Sequence, residues 1–133
     1  MTERGSASLE LALGIAMLVV PAVVAVISFA PWLEARAFVR AAAAEAARAA
    51  VLTPSGPAEA GTRAVADMAA GRDMTGVTVV MCGGRPCVVE RGEVVGARVT
   101  VEIPLVTTPW GAVGGITVEA SHSEPVDLYR SLP

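Results

Sequence analysis

Hydrophobic and polar positions first divide the chain at its N-terminal end. A polar head of five residues precedes the segment Ser6–Glu10, and an uncharged apolar run of 23 residues then extends from Leu11 to Leu33. At about 1.5 Å per residue this run makes roughly 34 Å of helix, enough to cross a hydrocarbon core of about 30 Å. The pattern therefore predicts a transmembrane helix over residues 11–33.

Two other interpretations of this run were weighed. A helix in the core of a soluble protein is disfavoured by the length of the run. A cleaved secretory signal has an apolar region of about 7–15 residues after a net positive head. Here the run is longer, and Glu3 offsets Arg4. Trp32 suits a membrane interface, and Glu34 with Arg36 marks the return to water.

The helical pattern continues beyond the apolar run. Residues 34–52 are nearly all strong helix formers and are rich in alanine. One long helix over residues 6–52 is therefore expected. Because small residues let helices approach closely, its alanine-rich part is interpreted as a surface for lateral association. The alternative is that this part lies on the chain's own C-terminal domain.

Residues 53–133 are expected to form one small domain. The segment Thr53–Pro57 contains turn residues, and residues 58–71 form a short amphipathic helix in this prediction. Its apolar side would contain Ala60, Ala64, Val65, Met68 and Ala69.

Strand patterns follow this helix. Val77–Met81 leads to a cysteine turn, Val88–Val89 returns from it, and residues 95–103 and 116–121 alternate between apolar and polar positions. The intervening residues, Pro104–Gly115, are expected to be irregular. A three- or four-stranded antiparallel sheet covered by a helix is predicted, which is an α+β architecture.

Cys82 and Cys87 enclose Gly83–Pro86, a turn-forming sequence flanked by valines. A disulfide that closes a hairpin is expected if this domain lies outside the cytoplasm, and a reduced pair is the alternative. One close cysteine pair with the distant His122 makes no credible metal site, so neither a metal nor a cofactor is expected. The formal net charge of −3, without a basic cluster, gives no reason to expect nucleic-acid binding.

The orientation of the predicted span has arguments on both sides. Arg4 precedes it, whereas Arg36, Arg40 and Arg48 follow it, which favours a cytoplasmic C-terminal side. Two observations favour the opposite orientation. The cysteine turn suits an oxidising compartment, and the small C-terminal domain is a more plausible exported part than a head of five residues. The prediction places the N-terminus in the cytoplasm and the C-terminal domain outside it.

Glu10 is a carboxylate at the N-terminal end of the apolar run. Because an ionisable group in or near a membrane span is energetically costly, its presence suggests a function. If the chain is cut after Gly5, the new α-amino group of Ser6 lies four positions before Glu10. The amine and the carboxylate could then pair, within one chain or between neighbours. The alternative is a glutamate that simply reaches the interface.

These residues resemble a known family. Gly5, the segment Ser6–Glu10, the apolar helix and the alanine-rich residues 41–51 are similar to type IV-type prepilins, and most to the TadE-like minor pilins or pseudopilins of tight-adherence (Tad) pilus systems. The resemblance covers residues 4–52 and extends loosely to the small C-terminal region. A minor subunit fits the length, because Tad major pilins are usually much shorter.

The resemblance implies that residues 1–5 are a leader, removed after Gly5 by a prepilin peptidase. It also implies storage in the lipid bilayer, delivery to the Tad inner-membrane assembly platform, and contact with other pilin subunits through the N-terminal helix. Glu10 would then face the Ser6 amine of a neighbour.

Two rival functions were considered. The first is an uncleaved, signal-anchored surface protein whose small domain binds a ligand. The second is an enzyme, for which Ser121, His122 and Ser123 give weak support, since adjacent side chains on a strand point to opposite faces. Glu119 and Glu124 are interpreted as solvated charges. No enzymatic activity is expected.

Overall fold

The computed structural model describes residues 6–108 and 110–129, with side chains except those of residues 6–9, 27–28, 105–108 and 111–113. Helices α1 (Ser6–Leu52) and α2 (Pro57–Ala70) are followed by strands β1 (Val77–Met81), β2 (Val94–Thr108) and β3 (Gly111–Pro125). The fold is α+β, as predicted. The chain forms two units, residues 1–33 and 34–133, and each is described by itself.

The first unit contains the apolar part of α1. Its most apolar window of 18 residues has a mean hydropathy of 2.7, and none of that window is buried within the chain. A core helix of a soluble protein would be mostly buried, so the structure disfavours that interpretation. Residues 10–33 thus provide one helical segment that is long and apolar enough to cross a membrane.

The second part of α1 belongs to the other unit and is buried along one side. We call this side the alanine stripe. Its nine buried residues are Ala35, Phe38, Val39, Ala42, Ala43, Ala46, Ala47, Ala50 and Val51. They recur at the three- and four-residue spacing of one helical face. The alanine stripe therefore lies in the core of the chain's own domain, which is the alternative to a surface for lateral association.

Helix α2 packs closely on α1. Pro57 occupies its first turn, where a missing N–H costs nothing, and Gly61, Val65 and Ala69 are buried. A Cβ atom at Gly61 would lie 2.9 Å from the carbonyl oxygen of Ala46 and would also meet the Met81 side chain. The predicted apolar side is confirmed in outline, with Gly61 as the close-contact position that the hydropathy pattern missed.

The three strands form an antiparallel sheet in the order β1–β2–β3. Val79 pairs with Val99, and Val99 pairs with Ala120, so apolar positions of all three strands share one face. On β2 the buried residues are Val95, Ala97, Val99 and Val101. The alternation predicted for residues 95–103 is confirmed, and its apolar face contributes to the core.

Two sequence-based expectations about the strands are wrong. Val88 and Val89 are not in a strand, because β2 rather than a return segment pairs with β1. Pro104–Gly115 is not an irregular linker, since β2 continues to Thr108 and β3 begins at Gly111. Pro104 is tolerated because it lies beyond the residues of β2 that pair with β1, where the strand has a partner on one side only.

Candidate functional site

The N-terminal residues predicted to carry function lie at the start of α1. Gly5 is outside the described residues, and Ser6 is the first residue of the helix. Glu10 follows one helical turn later, so the backbone of Ser6 and the side chain of Glu10 belong to the same side of the helix. Glu10 is exposed, and within the described part of the chain it forms no ion pair.

The helix surface after Glu10 is apolar on every side. Its exposed large residues include Leu11, Leu13, Ile15, Met17, Leu18, Val20, Val24 and Phe29. One shallow groove of about 310 Å³ lies over Ala22 and is bordered by Leu18, Val19, Val23 and Val26. A carboxylate at the end of such a surface can pair with a cation that a neighbouring chain or the bilayer interface supplies.

Cys82 and Cys87 form the predicted disulfide, with a Cα–Cα distance of 5.4 Å. The disulfide does not close a β-hairpin, however. Cys82–Gly84 form a single 3-10 turn, in which Gly83 and Gly84 have positive φ angles of 64° and 80°. Such angles favour glycine, so the Gly–Gly pair lets a short loop bend back to Cys87. The disulfide therefore stabilises an irregular loop after β1.

In the Ser–His–Ser sequence on β3, the histidine is paired with a carboxylate of the same strand. The ring Nε2 of His122 lies 3.2 Å from Oε2 of Glu124, two residues along the same strand. Ser121, His122 and Ser123 all border one shallow depression of about 370 Å³, whose lining also includes Gly96 and Arg98. Glu119 is exposed, and Glu124 is half-buried at the surface, where it pairs with His122.

Within residues 6–108 and 110–129, no group of three or more histidine, cysteine or acidic side chains is arranged to hold a metal ion. The geometry thus adds no metal site to those considered from the sequence.

No protein-family model matches the chain, and no curated protein or solved structure matches it either. The function is therefore inferred from the residues of this chain. Its strongest element is the combination of Ser6, Glu10 and the exposed apolar helix.

One surface feature was missed entirely from the sequence. The β2–β3 hairpin extends well beyond β1 and carries Trp110 at its tip, with 93% of that residue exposed. The sequence does contain a signal for this feature, because the sixteen residues between Glu102 and Glu119 include no charged side chain. The glycines and prolines of this segment obscured its strand pattern.

Proposed function

We propose that the chain is a TadE-like minor pilin, a structural or assembly subunit of a Tad-type pilus that acts through its N-terminal helix. The observation that carries this proposal is the position of Glu10. It is an exposed carboxylate four residues after Ser6, at the start of a helix whose most apolar window is not buried by the described part of the chain. A subunit that pairs through this segment needs both features.

In this proposal a prepilin peptidase removes residues 1–5, and the new amine of Ser6 pairs with Glu10 of a neighbouring subunit. The apolar part of α1 is held in the bilayer until the Tad assembly platform transfers it to other pilins. The alanine stripe packs inside its own domain and is therefore not available to other subunits, so the proposal assigns the contact to the apolar part of α1. No catalytic step and no nucleic acid is involved.

The proposed orientation places the N-terminus in the cytoplasm and residues 53–133 outside it. The disulfide between Cys82 and Cys87 supports this choice, because disulfides persist in oxidising compartments. The three exposed arginines after the span, Arg36, Arg40 and Arg48, oppose it. Labelling of engineered cysteines by a membrane-impermeant reagent in intact cells would decide between the two orientations.

The main test is the N-terminal residue of the mature protein in cells that assemble Tad-type pili. We expect mass spectrometry to find a chain that begins at Ser6, and the Gly5→Leu variant to keep its leader. A wild-type chain that retains its leader would favour the alternative function, an uncleaved, signal-anchored surface protein with a small binding domain.

The role of Glu10 is tested by a matched pair of variants at the two ends of the apolar run. Glu10→Ala should leave membrane insertion intact and strongly reduce the number of pili. Glu34→Ala also removes an exposed carboxylate from α1, but it should leave piliation unchanged. Normal piliation of Glu10→Ala would refute the pairing role.

A further inference from the structure

The β2–β3 hairpin has a part that the rest of the sheet does not support. Strand β1 pairs only with Ala97–Val101, whereas the pairing of β2 with β3 continues from Glu102–Thr117 to Thr108–Gly111. We call residues 102–117 the ribbon. Seven residues per strand at about 3.3 Å each give the ribbon a length of roughly 20 Å. A two-stranded ribbon is marginally stable in water by itself, so this extension calls for an explanation.

The ribbon also carries no charged side chain beyond Glu102 at its base. Residues 103–118 form the longest uncharged run of the chain after Leu33, with sixteen residues between Glu102 and Glu119. The adjacent ends of the ribbon's strands are connected through Pro109 and Trp110. The exposed fraction of Trp110 is 93%, so this large aromatic side chain has almost no contact with its own domain.

This chemistry fits the interface of a lipid bilayer. Tryptophan favours the headgroup level, where its ring meets acyl chains and its N–H meets water. A membrane surface accepts a tip without charge, whereas a protein partner is usually recognised through some complementary charge or hydrogen bond. The chain also has its own membrane-length helix, so a bilayer is close to the domain whenever that helix is inserted.

The backbone of the ribbon limits how deeply it enters. Among the described residues, the outer edges of both ribbon strands have no strand partner. Unpaired N–H and C=O groups are not tolerated in the hydrocarbon region, but water and headgroups satisfy them at the interface. Glu102 and Glu119 would also be costly to bury in lipid. Only the tip should therefore enter.

We propose that the tip of the ribbon, with Trp110, is a second membrane contact that inserts at the headgroup level of a bilayer. The proposal goes beyond pilus assembly and concerns the second unit by itself, at a bilayer that the apolar helix keeps near. It holds whether or not the chain is cut after Gly5, so its failure and that of the proposed function are distinguishable.

The test uses fluorescence of Trp110 in the full-length chain. The sequence has two tryptophans, and Trp32→Phe leaves Trp110 as the only one. One copy of this protein is placed in each nanodisc of phosphatidylcholine and phosphatidylglycerol. We expect emission at shorter wavelength than from a tryptophan in water, and severalfold weaker quenching by acrylamide than for free tryptophan. Lipids brominated near the headgroup should quench Trp110 more strongly than lipids brominated near the chain end.

Two threonine-to-glutamate variants, each combined with Trp32→Phe, compare a charge at the tip of the ribbon with a charge at its base. Thr108→Glu places a carboxylate beside the tip and should return the emission and acrylamide quenching of Trp110 to those of an aqueous tryptophan. Thr117→Glu places the same group near Glu119, at the base of the ribbon, and should leave Trp110 protected. Circular dichroism should show unchanged secondary structure in both variants.

Three outcomes would overturn the proposal. The first is an aqueous emission and full acrylamide quenching of Trp110 in single-copy nanodiscs. The second is protection that occurs only in nanodiscs with two copies, which would show that ribbons pair with each other instead. The third is stronger quenching by deep than by shallow brominated lipids, which would contradict the interfacial position.

Discussion

The two parts of helix α1 are both apolar, yet they have opposite environments. The chain has two phenylalanines, one in each part: Phe29 is 62% exposed, and Phe38 is 2% exposed. Before residue 34 large side chains face outward on all sides of the helix. After it, small side chains form the alanine stripe and bring other elements close. Because the same side chain is exposed in one part and buried in the other, hydropathy alone does not separate a surface for lipid from a surface for packing; the small side chains around Phe38 allow the close packing there.

The largest difference is expected between the two phenylalanines. Phe38→Ala should lower the free energy of unfolding of the domain by about 3–5 kcal/mol, because it leaves a cavity in the core. It also removes the ring that lies 5.7 Å from the guanidinium carbon of Arg72. Urea-dependent pulse proteolysis of the full-length chain in mild detergent would measure the change.

Phe29→Ala is the control for this prediction, since it removes the same atoms from an exposed position. It should change the domain's free energy of unfolding by less than about 0.5 kcal/mol. Equal losses for both variants would show that the two parts of α1 do not differ in packing.

A smaller loss in the free energy of unfolding is expected for an alanine at Gly61, and an alanine at Gly14 is its control. Gly61→Ala adds one methyl group at 2.9 Å from the Ala46 carbonyl oxygen, so α2 must shift away from α1. Overpacking of this kind costs about 1–3 kcal/mol, and the same proteolysis assay would detect it. Gly14→Ala adds the methyl group where no atom lies within 4 Å and should cause no loss. A neutral Gly61→Ala would contradict the close approach of the helices.

The disulfide should have an effect comparable to that of Gly61→Ala and smaller than that of Phe38→Ala. Cys82→Ser removes a crosslink between residues five positions apart, and a loop this short restricts the unfolded chain by only about 2 kcal/mol. Reductant added to the wild-type chain should reproduce the loss in the proteolysis assay. Protease protection of residues 10–33 in nanodiscs should be the same in the variant and the wild type. The disulfide stabilises only the second unit, residues 34–133, to which both cysteines belong. Thiol labelling of both cysteines in native cells would contradict the bond itself.

Sequence patterns predicted the helices and the alternating strands well. Helix α1 ends at Leu52 as expected, and the alternation of residues 95–103 was easily recognised because valine dominates its buried positions. The ribbon could not be predicted in the same way. Pro104 and several glycines are poor strand residues, and they are accepted because this part of the hairpin has a partner on one side only.

The candidate functional residues divide similarly. The spacing of Ser6 and Glu10 and the paired cysteines were visible in the sequence, because each depends on residues that are close along the chain. The pairing of His122 with Glu124 and the exposure of Trp110 were not. Both depend on the alignment and extent of strands, which long-range packing determines.

The sequence by itself determined that residues 11–33 form an apolar helix of membrane length, because length and hydropathy are local properties. Only the tertiary structure decided what surrounds the alanine-rich part that follows. Alanine is compatible both with contacts between chains and with a core, since its small side chain favours any close approach. Here α2 and the sheet belong to the unit that buries this part, so its surface is used within the chain.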